Sequence, residues 1–150
     1  MPALSIKTNI LTPSLTIKAL LPELTEVGLR AVIVLFLTDF LKSFNITNTM
    51  SPIQIGEAAE FLIEKYPNYK LEDFKLCFKY SKTARYGKIY NRIDIAVIFD
   101  MFNEYDKERT EVLSNAMVKQ HVEVKKIEQS ESRAGGWDKN NLKKLCDSLS

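Results

Sequence analysis

Histidine, cysteine, tryptophan and glycine are all scarce in this chain of 150 residues: one histidine, two cysteines, one tryptophan and five glycines. His121, Cys77 and Cys146 cannot supply the closely spaced ligands of a structural zinc site, and two distant cysteines make no disulfide framework. Cys77, between Leu76 and Phe78, reads as a small core residue in a reducing compartment. The Gly-Lys step at Gly87-Lys88 lacks the rest of a phosphate loop, and no nucleophile elbow is present, so neither an ATPase nor a hydrolase of that type is expected. Long apolar runs are missing too. The most apolar one, Ala31 to Leu37, is closed off by Arg30 and Asp39, far short of the roughly 20 residues a membrane span needs. With no apolar signal region near Lys7, a cytoplasmic protein with no membrane partner is expected.

What is present is charge, unevenly distributed. The net charge of +2 conceals +1 over residues 1–50, −3 over 51–64, +6 over 65–92, −3 over 93–128 and +1 over 129–150. Residues 65–92 hold eight Lys or Arg against two acids, interleaved with seven aromatic residues. A local basic field flanked by acidic elements steers an anionic partner to one face without coating the whole molecule in nucleic acid.

Hydrophobic periodicity predicts an all-α protein: a helical bundle of about four helices, one of them long, with an irregular N-terminal arm over 1–20, a helical domain over 21–128, a linker over 129–136 and a short amphipathic helix over 137–150. Pro22 suits a first helical turn, and the apolar residues from Leu24 to Phe44 fall on nearly every face, which predicts a buried central helix. Ser51-Pro52-Ile53-Gln54 is a capping box with proline at the first helical position, and Pro67 ends the helix it opens. Leu71 to Tyr80 reads as a third helix with Lys75 and Lys79 on one face and Leu71, Phe74 and Phe78 on the other. Asn91 and Asp94 resemble a cap opening a long helix toward Ile127. The string QSESRAGG at 129–136 has linker composition. Beyond it, Trp137, Leu142, Leu145 and Leu149 form the apolar side of a helix that either packs back on the domain or docks on a partner.

The basic stretch supplies cations to displace counterions from phosphates and rings on which bases stack. Its candidate contact residues are Lys75, Lys79, Lys82, Arg85, Tyr86, Lys88, Tyr90 and Arg92; Tyr80 is a further exposed-ring candidate, whereas Phe74 and Phe78 belong to the core. The competing readings are an acidic protein partner and plain surface pairing with the acidic helices on either side. Asp94, Asp100, Glu104 and Glu108 recur at helical spacing along the long helix, but a solvated face explains them better than a cation site, and no metal, cofactor or catalytic residue is expected.

Tyr66-Pro67, Leu71-Glu72-Asp73-Phe74, the string from Tyr86 to Asp94, Ile98-Phe99, Tyr105 and Arg109 together resemble small uncharacterised proteins of Bacteroidetes phages and integrated mobile elements, over residues 45–112. The short helix, Tyr-Pro stop and acidic-aromatic helix start are also similar to the adaptor domains of phage helicase loaders. The resemblance implies an all-helical fold and a mobile-element origin, in the cytoplasm of a bacterial host. Size, the lack of catalytic residues and the patterned charge suit a non-enzymatic protein that regulates a nucleic-acid-processing complex: a replication accessory factor for a helicase or primase, or alternatively an anti-CRISPR type inhibitor acting on a host defence nuclease or its guide RNA, with direct nucleic-acid binding as a third reading.

Overall fold

The computed structural model describes residues 4–133 and 146–149. They are all-α: α1 (Ile6–Leu11), α2 (Ile17–Lys42), α3 (Pro52–Lys65), α4 (Leu71–Lys82) and α5 (Ile95–Arg133), with a further helical turn at 146–148 and only two isolated β-bridges. The chain divides after Thr110 into two units, and the core and the site described below belong to the first.

The expectation of an irregular arm over 1–20 is corrected: residues 6–11 form α1 and residues 17–20 already belong to α2, and the first turn of α1 is closed by Ser5 Oγ accepting from the Thr8 amide at 3.2 Å. The segment after it is tied down by backbone hydrogen bonds from Ile17 N to the Tyr69 carbonyl (2.7 Å) and from Lys18 N to the Pro67 carbonyl (2.9 Å). Those bonds start α2 at Ile17 rather than at Pro22, with Thr16 as the cap. Pro22 therefore lies inside the helix, where it has no N–H to offer the Lys18 carbonyl. Three residues on, Thr25 takes φ 63° and ψ 165° and breaks the helix. Its Oγ1 accepts from the Gly28 amide at 3.3 Å, capping the second segment. A β-branched residue held at positive φ stores strain of about 1–3 kcal/mol.

The expectation that α2 is buried on every side is corrected. Leu29, Ile33, Leu37 and Phe40 form one buried stripe, while Val27 (79% exposed) and Leu35 (68% exposed) lie open on the far side. Apolar composition alone does not say how many neighbours a helix has. Here α2 packs against α3 and α4, and α1 packs against α4. The capping box of α3 is present as the sequence predicts, Ser51 Oγ accepting from Gln54 N (3.3 Å) and Gln54 Oε1 accepting from Ser51 N (2.9 Å). Gly56 lies beneath the Arg30 side chain, so close that a Cβ there would come within 2.5 Å of Nη2, and the guanidinium crosses it to reach Glu60 at 3.1 Å.

The aromatic centre of the core is Phe102 of α5, ringed by Phe78 (5.4 Å between centroids), Phe74 (5.5 Å) and Tyr66 (5.7 Å). α5 opens one turn later than Asn91 suggests: Asp94 Oδ1 accepts from Val97 N at 3.0 Å. It then runs to Arg133, through the first part of the string read as a linker, because Gln, Ser, Glu and Arg tolerate helix. In the second unit, Met117, Val118, His121, Val122, Val124 and Ile127 are exposed. Leu149 is 83% exposed, and Trp137, Leu142 and Leu145 lie outside the described residues. No helix among the described residues is long and apolar enough to cross a membrane.

Candidate binding groove

α4 is positioned by its first turn. Lys70 N donates to Asp73 Oδ2 at 2.9 Å, and Lys70 Nζ reaches back to the carbonyls of Asn9 (2.7 Å) and Thr12 (2.6 Å), which fastens the helix start to α1. From there the helical period turns Phe74, Cys77 and Ser81 into the core and places Lys75, Phe78, Lys79 and Lys82 along one edge. Across from that edge, α2 presents Phe36, Asp39 and Phe40. The two faces enclose a groove of about 330 Å³. Its floor is aromatic, with Phe40 and Phe78 in contact at 4.9 Å. Its rim carries three lysines and one acid: Lys82 meets Asp39 at 3.6 Å, the Lys75 ammonium sits 5.6 Å from the centre of the Phe36 ring, and Lys79 has no ion pair among the described residues.

Of the eight predicted contact residues, three line the groove and five do not. Lys75, Lys79 and Lys82 converge on the groove. Arg85, Tyr86 and Arg92 are occupied by partners of their own: Arg85 pairs with Glu108 and lies 4.2 Å above the Tyr80 ring, Tyr86 Oη donates to Glu108 Oε2 at 2.8 Å, and Arg92 pairs with Asp94 at 3.1 Å. Burial raises the Tyr86 phenol above its ordinary range and keeps it a donor. Tyr80 meets Tyr86 edge to face at 6.3 Å and is half-buried, so it is no free stacking platform. Lys88 and Tyr90 (74% exposed) remain on the loop after α4, away from the groove lining and without a partner among the described residues. That loop turns at Ala84 and Gly87, both at positive φ, and is held by Ile93 N donating to the Asn48 carbonyl at 3.2 Å.

Three of the four acids singled out along α5 are explained by such pairing, and Asp100 is exposed. Asp94 caps the helix, Glu104 pairs with Lys107 at 2.7 Å, and Glu108 holds Arg85 and Tyr86. Among the described residues no three His, Cys, Asp or Glu side chains gather into a metal-holding group.

The residue that sequence reasoning misses is Asp73. It reads as a first-turn acid favoured by the helix dipole, yet it is fully buried. Its Oδ1 accepts from Tyr105 Oη (2.6 Å), Asn9 Nδ2 (2.8 Å) and Arg109 Nε (3.3 Å). Tyr105 and Arg109 stand one turn apart on α5, a spacing that could have suggested a shared target. The Arg109 guanidinium also covers the Tyr69 ring at 4.8 Å, and Tyr69 Oη donates to Asp106 Oδ1 at 2.6 Å. Burial, joined by Asp73 for Tyr105 and by Asp106 for Tyr69, holds both phenols far above their ordinary range. Tyr66, beside them, is pushed up to about 12, chiefly by burial. This cluster joins α1, α4 and α5 and fixes the α4 edge of the groove.

A second cavity, of about 470 Å³, opens between α2 and α3 over Leu21, Val27, Ile63 and Pro67. Its rim is acidic, with Glu26, Glu60 and Glu64 against Arg30 alone. The two sides of α2 therefore carry opposite charge.

No protein-family model, curated protein or solved structure matches this chain.

Proposed function

We propose that this is a non-enzymatic binding protein that holds an anionic part of a nucleic-acid-processing assembly in the groove between α2 and α4. The observation that carries the reading is the convergence of Lys75, Lys79 and Lys82 around the half-buried Phe36 ring, over Phe40 and Phe78 of the core. The engagement of Arg85 and Tyr86 by the same partly buried Glu108 favours a protein partner over a broad nucleic-acid surface, because it withdraws a forked donor and a ring from the basic stretch. The similarity of the short helix and Tyr-Pro stop to the adaptor domains of phage helicase loaders makes a helicase or primase component the first partner to test; a host defence nuclease is the alternative.

The test is capture of the tagged protein from phage-infected host lysate, with and without nuclease, using the natural chain and a Lys75→Glu/Lys79→Glu/Lys82→Glu variant. The natural chain is expected to retain a replication component after nuclease treatment, and the variant to lose it while keeping its circular-dichroism spectrum, since each exposed substitution changes stability by about 0.5 kcal/mol and the last-turn cations Lys79 and Lys82 add about 0.3–1 kcal/mol each. Recovery of a defence nuclease would select the alternative partner. Equal capture by both proteins would remove the groove from the account.

A further inference from the structure

Resting on that reading of the groove, we infer that its occupant is an acidic amphipathic helix of the partner, which sets apolar side chains on the aromatic floor and carboxylates against the lysine row. Three features lead there. The first is the spacing of the cations. Lys75, Lys79 and Lys82 lie four and three residues apart on one helix, so their Cα atoms span about 10 Å along the axis, two helical turns. An opposing helix with acids at i, i+4 and i+7 repeats that spacing.

The second is the floor. Phe36, half-buried under Lys75, is the accessible ring of the lining, with Phe40 and Phe78 closed beneath it, so the groove offers an apolar contact to an aliphatic anchor and no row of open rings for successive bases.

The third is charge complementarity in a confined place. The groove rim carries three cations against Asp39, and the Lys82–Asp39 pair is long at 3.6 Å with Asp39 largely in solvent. An incoming carboxylate can take Lys82 at little cost, because an exposed pair of this kind contributes about 0–1 kcal/mol. Lys79 has no counter-charge among the described residues to give up. The acidic cavity between α2 and α3 repels the same ligand, so one face of α2 accepts it and the other rejects it.

The experiment uses the full chain, isotopically labelled, titrated separately with two probes. One is a peptide of about twenty residues, above the length at which isolated helices are marginal, with leucines at i and i+4 and glutamates flanking them. The other is a DNA oligonucleotide of mixed sequence, single-stranded or duplex. The expected result is that the peptide shifts the amides of residues 36–40 and 75–82, and that its affinity falls at least about tenfold with Lys75→Glu/Lys79→Glu/Lys82→Glu, with Phe36→Ala, or with the peptide leucines changed to serine. Phe36 is half-buried, so its truncation removes apolar floor without emptying the core. If instead the oligonucleotide shifts the groove amides, is indifferent to Phe36→Ala, and the peptide does not bind, the helix inference is overturned while the basic groove stands as a binding site. If neither probe shifts the groove, both fall together.

Discussion

Asp73→Ala is expected to lower the stability of the first unit by about 3–5 kcal/mol, the cost of breaking a buried ion pair by removing one partner. The carboxylate is 0% exposed and accepts from Tyr105, Asn9, Arg109 and the Lys70 amide. Its removal leaves a guanidinium whose side chain is only 15% exposed without its counter-charge, together with two buried donors. Against a total of about 5–15 kcal/mol for a small domain, that is a large share. Urea unfolding should show a lower midpoint with an unchanged slope. Asp73→Asn keeps an oxygen for Tyr105, Asn9 and Arg109 but removes the counter-charge of Arg109 and turns an amide donor toward Lys70 N, so its loss should be smaller than that of Asp73→Ala and should come from both the Arg109 pair and the start of α4. Combining Asp73→Ala with Arg109→Ala should cost less than the two single losses added together, because the second substitution removes the charge stranded by the first. A single-variant loss below about 1 kcal/mol would place Asp73 among ordinary surface carboxylates and end its role as the clasp of α1, α4 and α5.

Phe102→Ala should fall in the same range, about 3–5 kcal/mol, by a different route: a lost aromatic ring and a cavity that its neighbours fill only in part. Phe102 is fully buried among Tyr66, Phe74 and Phe78. Since Phe78 also forms the groove floor, the variant should lose binding along with stability, whereas Asp73→Asn acts on the floor only through the start of α4. Urea unfolding measures the first effect. Peptide titration at a temperature where the variant remains folded measures the second. A variant that unfolds like the natural protein would mean that the aromatic cluster is not the centre of the core.

Local chemistry made part of this legible in advance. The Ser51 and Gln54 capping box, the stop at Pro67 and the shared face of Lys75 and Lys79 all depend on residues within one or two turns of each other, and all are present. The misreadings arise where distance in sequence matters. The start of α2 depends on the Tyr69 and Pro67 carbonyls some fifty residues away, so Pro22 looked like a helix opening although it lies inside one. Counting charge over residues 65–92 gives a uniform basic patch, because the acid that occupies Arg85 and Tyr86 is Glu108 on another helix. Asp73 is the sharpest case. Its place in a first helical turn is legible, but its burial follows only from the docking of α1 on one side and α5 on the other.

The most direct measurement of whether the groove is the docking site is lysine reactivity toward an amine-modifying reagent, read by mass spectrometry on the free protein and on its captured complex. Lys75, Lys79 and Lys82 should become protected together in the complex while Lys88 stays reactive. Protection of Lys88, with the three groove lysines as reactive as before, would contradict the account and move the contact to the loop after α4.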